Sequence, residues 1–303
     1  MSFDSTKKNA WLVTGASGML GKAFCSLWGE RCVGVSRSTK TSFGSNAFIA
    51  DIRDLKQLEA IFDRVRPSIC FHFAANTNLV DCETNPKQAF EVNCTATEHL
   101  ATLCVRYHAR MCYMSTDSVF DGRTGNYSES DTPNPINAYA RTKLVGEQIT
   151  LSHQPNNVVI RGNIIGTTPL EGNQSKFVDW IIDQFQRKQQ FNGFTDVIFN
   201  PLSVNSMSKV IGELLDKNKD GGVWHVGSLN PISKYNFILK LAELKGFEKS
   251  LVKACSVETL NMIPPRPKNT CLNIGKLLNF GLATADVTAE LNILLQKELN
   301  NGS

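Results

Sequence analysis

Ala10-Trp11-Leu12-Val13-Thr14-Gly15-Ala16-Ser17-Gly18-Met19-Leu20-Gly21 runs from a short apolar stretch straight into a glycine-rich turn. Residues 10–14 have the length and composition of a buried strand, and the pattern from Gly18 to Trp28 is helical. Glycine at 15, 18 and 21 permits a tight turn, lets a diphosphate approach the backbone, and lets helix and strand pack closely. The helix start behind the turn offers unpaired N–H groups to phosphate oxygens. The spacing is Gly-x-x-Gly-x-x-Gly rather than Gly-x-Gly-x-x-Gly, so its weight comes from its place after the first strand of an alternating series.

Outward from that turn, Arg31 to Ser36 and Ala47 to Ala50 read as the second and third strands. Ile69 to Ala75 and Met111 to Ser115 read as two further buried strands, and Val158 to Ile160 as a sixth. Leu55, Leu58, Ile61, Phe62 and Val65 recur at helical spacing before Pro67, and one long helix is expected from about Pro86 to Tyr107. Strands alternating with helices imply parallel crossovers, hence an α/β fold built on a doubly wound parallel sheet. Residues 121–137 and 162–173 read as loops, and 177–185, 204–215 and 274–299 as helices. Residues 1–163 are expected to form a dinucleotide-binding domain, to which about 197–227 return; 164–196 and 228–303 are expected to form a smaller mixed α/β C-terminal substrate lobe.

The bulk properties exclude several classes. With 303 residues the chain can bury an ample core, and 42% hydrophobic and 20% charged residues are ordinary for a globular protein. A net charge of +4, with Lys and Arg scattered, speaks against nucleic acid and suits small anions. No apolar run is long enough to span a membrane, and Met1 to Asn9 has no signal-peptide core. The nine cysteines stand mostly inside apolar runs and, like the five histidines, show no metal-ligand spacing, so no metal site and a reduced, cytoplasmic protein are expected.

An NAD site places Asp or Glu at the end of the second strand to hold the ribose hydroxyls. Here Ser36-Arg37-Ser38 stands instead, and a guanidinium with hydroxyls would bind a 2′-phosphate that a carboxylate would repel. NADPH is therefore favoured over NADH; the alternative is that Arg37 is a solvated loop residue. Asp51-Ile52 could flank the adenine, and Asp51 could equally cap a helix. Tyr139 is the only tyrosine with Lys four residues on, Lys143, so the two share a helix face. A phenol of pKa about 10 is a reluctant acid or base at neutral pH, and a nearby ammonium would favour its phenolate. Thr116, after an apolar strand, would donate a hydrogen bond to a substrate oxygen.

Together these residues resemble the extended short-chain dehydrogenase/reductases, and among them the dTDP-4-dehydrorhamnose reductase group and its sugar-nucleotide-modifying relatives. Further stretches carry the likeness: Phe73-Ala74-Ala75-Asn76-Thr77 with Glu83 and Pro86, Val92-Asn93, Ser115 to Gly122, Pro133 to Lys143, and Arg266-Pro267-Lys268-Asn269-Thr270-Cys271-Leu272. The resemblance implies a Rossmann-like fold, Thr116, Tyr139 and Lys143 as the catalytic set, and cofactor contacts at Gly15, Ser17, Gly18, Met19, Gly21, Arg37, Asp51, Ile52, Ala74, Ala75 and Thr77. Substrate contacts are expected at Asn163 and Arg266; Arg266 and Lys268 could clamp a diphosphate, the alternative being a solvated proline-rich loop. The implied activity is NADPH-dependent reduction of a 4-keto group on a nucleotide-linked deoxysugar, with a homodimer as one expectation. Two alternatives stand beside it: another NAD(P)-dependent sugar-nucleotide enzyme such as an epimerase, and a non-catalytic NADP-binding regulatory subunit similar to the β-subunit of methionine adenosyltransferase.

Overall fold

Trp11–Thr14 forms β1, and all four of its residues are buried, as a strand covered on both faces requires. A computed structural model describes residues 9–37, 47–167 and 177–301, with side chains as far as 295. The elements after β1 are α1 (Met19–Trp28), β2 (Cys32–Ser36), β3 (Ala47–Ile49), α2 (Leu55–Val65), β4 (Ile69–His72), α3 (Leu79–Thr84), α4 (Pro86–Phe90), α5 (Ala96–Arg106) and β5 (Arg110–Met114). Then come α6 (Ala138–His153), β6 (Val158–Gly162), β7 (Ile164–Ile165), α7 (Phe177–Gln186), β8 (Phe191–Phe194), β9 (Ile198–Phe199), β10 (Leu202–Ser203), α8 (Val204–Lys217) and β11 (Gly222–Val226). The last elements are β12 (Ile232–Ser233), α9 (Lys234–Lys245), β13 (Val252–Cys255), α10 (Gly275–Asn279) and α11 (Val287–Asn301).

Seven parallel strands in the order β11-β6-β5-β4-β1-β2-β3 make a Rossmann-like doubly wound α/β sheet. The chain leaves β1 toward β2 and returns on the other side at β4, so the crevice for a ligand lies beyond the carboxyl ends of β1 and β4. One apolar cluster, with Trp11, Phe24, Phe71 and Ile211, fills one face; another, with Leu58, Phe62, Leu100 and Tyr113, fills the opposite face. A third, with Ile181, Phe185, Phe237 and Leu291, joins α7, α9 and α11 in the smaller mixed part, where β8 pairs with β13 and β9 with β12. Among the described residues no helix is long and apolar enough to cross a membrane.

The structure differs from several sequence expectations. β4 stops at His72, so Phe73 to Ala75 are coil crossing the crevice rather than strand. The long helix expected from Pro86 to Tyr107 is interrupted by a π turn over Glu91–Thr95, and α3, capped by Asn78, precedes it. The expected helix over 274–299 is two helices, α10 and α11, parted by Gly281 at φ 86°. The strand β11 and the helix α9 lie where no element was assigned. Asp51 does not cap α2; Asp54 does, accepting from the N–H groups of Lys56 and Gln57. Ser38 and the far part of the loop expected to reach 173 lie outside the described residues.

Candidate active site

The glycine turn is shaped by close approach. Gly15 takes φ +69°, and a Cβ there would lie 2.7 Å from the backbone nitrogen of Ala74. A Cβ on Gly21 would run into the Gly15 carbonyl oxygen, so α1 leaves the sheet at a distance only glycine allows. Gly18 is the N-cap of α1, with no side-chain cap and no acidic residue in the first turn. The positive end of that helix is therefore open toward the crevice, with Ser17 and Met19 beside it.

At the ends of β2 and β3 the structure brings together Arg37, Asp51 and a residue absent from the sequence candidates, Arg53. The Asp51 carboxylate accepts from the Arg53 guanidinium at 2.6 and 3.0 Å and from the Arg53 backbone N–H at 3.0 Å. These bonds, with the field of Arg37, hold the Asp51 pKa below the usual carboxylate value against the effect of burial. One guanidinium is thus bonded to the carboxylate and a second acts on it from further off. Arg37 itself is exposed, and Ile52 is buried.

Of the expected cofactor contacts after β4, Ala74 lies against Gly15, Ala75 is half-buried and Thr77 is exposed. The Phe73 N–H donates to the Thr14 carbonyl at 3.3 Å, tying the segment to the end of β1. Asn93, buried in the π turn, accepts from the Asn76 N–H at 2.8 Å and donates to the Asn76 carbonyl at 3.0 Å and to Thr142 Oγ1 at 2.9 Å. A π turn inside a helix commonly marks a functional site. Here it carries the amide that joins this loop to α6.

Helix α6 presents Tyr139 and Lys143. Its start is fixed by Asn137, whose side chain accepts from the Ala140 N–H, and by Glu83, which accepts from the Ala138 N–H at 2.9 Å. Tyr139 is half-buried against Cys82, Ala89 and Ala138, and its phenol lies near the Thr116 side chain. Burial, and after it the Asp117 carboxylate, pushes the Tyr139 pKa well above 10; Thr116 opposes them. Lys143 is buried, its ammonium 4.0 Å from the Tyr113 ring centroid and without a hydrogen-bond acceptor among the described residues. Burial pushes its pKa down to about 7 against the pull of Glu147. Lys143, expected to draw the phenol toward phenolate, is not among the groups that shift Tyr139 here. The ammonium is itself desolvated and faces Tyr113, and the charge that reaches Tyr139 is Asp117.

Asp117 is the hub that sequence reasoning missed. Its carboxylate accepts from Thr270 Oγ1 at 2.7 Å, Asn163 Nδ2 at 3.1 Å and Thr116 Oγ1 at 3.1 Å. Asn163 is thus oriented beside Thr116. Arg266 lies half-buried on a loop whose Pro265 carbonyl accepts from Asn137 Nδ2 at 3.3 Å. Lys268 does not join it: its ammonium is paired with Glu258 at 2.6 Å and Asp196 at 3.5 Å. Beneath Ser115, Glu147 of α6 and Arg161 of β6 form a buried ion pair at 2.7 Å, and the Ser115 hydroxyl donates to Glu147. Among the described residues no group of His, Cys, Asp and Glu is gathered as for a metal ion, and all nine cysteines are free thiols.

A family profile described as the RmlD substrate binding domain matches residues 9–299. A probable low-salt glycan biosynthesis reductase of Haloferax volcanii is 30% identical over 274 residues, 88% of this chain and 90% of its own length. Methionine adenosyltransferase 2 subunit beta of Xenopus tropicalis is 26% identical over 280 residues, 89% of this chain and 82% of its own. Among solved structures, dTDP-4-dehydrorhamnose reductase from Bacillus anthracis, in complex with NADP, superposes with a TM-score of 0.83 at 24% identity, covering 96% of this chain and 99% of that one.

Proposed function

The chain belongs to the RmlD substrate binding domain family, and we propose that it reduces a 4-keto group on a nucleotide-linked deoxysugar at the expense of NADPH. The observation that carries this reading is the layout of Tyr139 and Lys143 one turn apart on α6, with Thr116 near the phenol and Asn93 tying α6 to the loop that lies against the glycine turn.

The residues present fit a dinucleotide. A Cβ would fill the cradle at Gly15 and Gly21, and the uncapped start of α1 at Gly18 leaves backbone donors for a diphosphate. Gly15, Ser17, Gly18, Met19 and Gly21 would hold the diphosphate, and Asp51 and Ile52 would flank the adenine. Ala74, Ala75 and Thr77 would line the far side. Arg37 and Arg53 outnumber Asp51, which favours an added 2′-phosphate over a bare ribose. The chemistry such a cofactor supplies when bound is hydride delivery to a carbonyl carbon.

The chain's own residues manage the proton. Burial and Asp117 keep Tyr139 protonated at neutral pH, so its Oη holds a proton for a carbonyl oxygen rather than acting as a base. The Thr116 hydroxyl would share that oxygen, and Asn163 and Arg266 would contact the substrate. Lys143, poised near neutrality, can take or release a proton behind the phenol. In this reading 1–163 with 197–227 serve the cofactor, and 164–196 with 228–303 the substrate. The nine free thiols, eight of them buried, suit a cytoplasmic location.

Tyr139→Phe tests the assignment: NADPH oxidation with dTDP-linked 4-keto-6-deoxysugars should fall by about 10² to 10⁴, with NADPH affinity nearly unchanged. Turnover at the wild-type rate defeats it. The likeness to methionine adenosyltransferase 2 subunit beta favours a second reading, a binding subunit without turnover. Dinucleotide binding, no oxidation across the sugar panel and recovery of a stoichiometric foreign partner would select that reading.

A further inference from the structure

Two cations close to one another, Lys234 and Arg266, make no ion pair among the described residues. Lys234 is the first residue of α9, where the helix dipole disfavours positive charge. Its ammonium lies 3.5 Å from the Phe199 ring centroid and 4.0 Å from that of Phe177. Such faces hold an ammonium without neutralising it. Burial pushes its pKa down to about 7; Asp117 pulls the other way, and the Arg266 guanidinium adds to the depression. Burial also lowers the pKa of Arg266. Asp117, the nearby acid, already accepts from Thr270, Asn163, Thr116 and Ser118. Both side chains are half-buried, and a partly desolvated charge without a counter-charge is costly, more so with a second of like sign nearby. Such a pair is arranged for an anion from outside.

We propose that Lys234 and Arg266 together seat an anionic oxygen group of the substrate beside the Thr116–Tyr139 pair. The proposal rests on the nucleotide-sugar reading above and adds Lys234 to it as a binding and specificity residue. The group is a phosphate of the nucleoside diphosphate or a carboxylate carried by the sugar. Both present the oxygens that an ammonium and a guanidinium can share.

Lys234→Met keeps the length and apolar stem that lie against Phe177 and Phe199 but removes the charge. Titration calorimetry with NADP+ present would use dTDP, UDP, glucuronate and, as the uncharged control, thymidine. At least one anionic probe should bind the wild type, and Lys234→Met should weaken it about tenfold or more, with Lys234→Arg restoring most of the affinity. Loss confined to dTDP and UDP assigns the seat to phosphate; loss confined to glucuronate assigns it to a carboxylate. The proposal is overturned if NADP+ binds normally and either no anionic probe binds the wild type or Lys234→Met, folded as judged by thermal unfolding, binds every probe unchanged. Absence of NADP+ binding in the wild type brings down the underlying reading as well.

Discussion

Replacing Glu147 and Arg161 singly and together separates the cost of a stranded charge from the worth of the pair. The two side chains are 2% and 5% exposed, and three N···O contacts of 2.7, 3.0 and 3.1 Å join them. Glu147→Leu leaves a guanidinium buried with only the His225 ring at 3.4 Å and the Phe120 face at 5.1 Å. Arg161→Met leaves a carboxylate with the Ser115 hydroxyl as its one hydrogen-bond donor among the described residues and the Lys143 ammonium as a more distant counter-charge. Each single change should cost about 3–5 kcal/mol. The double variant strands no charge; Ser115 and His225 each lose a polar partner, at about 1 kcal/mol apiece, so it should be more stable than either single variant. Urea denaturation of all four proteins at pH 7 reads this directly. A double variant whose loss equals the sum of the singles would refute the reasoning. A second readout separates the roles of the two residues. Glu147 raises the pKa of Lys143, so both variants lacking it should move Lys143 below about 7, measured by NMR of labelled lysine, while Arg161→Met should leave it in place.

Stability should rise with pH from about 7 upward, because there the unfolded chain still holds the Lys143 proton, of ordinary pKa 10.5, while the folded chain has released it. The slope from this residue is at most about 1.4 kcal/mol per pH unit, and Lys143→Met should remove it when wild type and variant are compared between about pH 7 and 8.5, below the ordinary range of thiols. Gly18→Ala places a Cβ 3.2 Å from the Gly15 carbonyl oxygen and nothing closer, so the fold should persist while NADPH affinity, followed by fluorescence, falls about tenfold. Gly21→Ala collides with backbone and should lower thermal stability as well. Arg53→Ala frees the Asp51 carboxylate, so the ratio of NADPH to NADH affinity should narrow; an unchanged ratio removes Arg53 from the 2′-phosphate site.

The sheet was legible because Ala10 to Ser36 carries its own instructions: a short apolar run, glycine where a helix must pass close, and a second apolar run. The same local logic placed Tyr139 and Lys143 on one helix. What stayed hidden depends on distant partners. Gly222–Val226 is short, holds a histidine among apolar residues, and becomes a strand by pairing with β6; His225 is buried between Arg161 and the Tyr127 carbonyl. The π turn at Glu91–Thr95 is set by Asn93 reaching both Asn76 and Thr142, contacts no periodicity shows. Lys268 and Lys234 look alike as sequence. Only the fold pairs one with Glu258 and leaves the other against two phenylalanine rings.

Asp117 explains why the late segment matters to chemistry on the sheet. Thr270 donates to its carboxylate, the Asn269 N–H donates to the Gly122 carbonyl, and Tyr127 bridges to Leu272, so residues 269–272 are stitched along the chain that follows β5. The same carboxylate orients Thr116 and Asn163 and raises the Tyr139 pKa. One buried charge thereby fixes the hydroxyl that would contact a substrate oxygen, keeps the neighbouring phenol protonated, and anchors the loop that carries Arg266. Lys234 feels the same carboxylate, so removing it would alter the phenol, the clamp and the loop together. The proposed site is therefore already in register in the folded chain, with its proton donor and its anion seat referenced to a single side chain rather than brought together by closure of two independent parts.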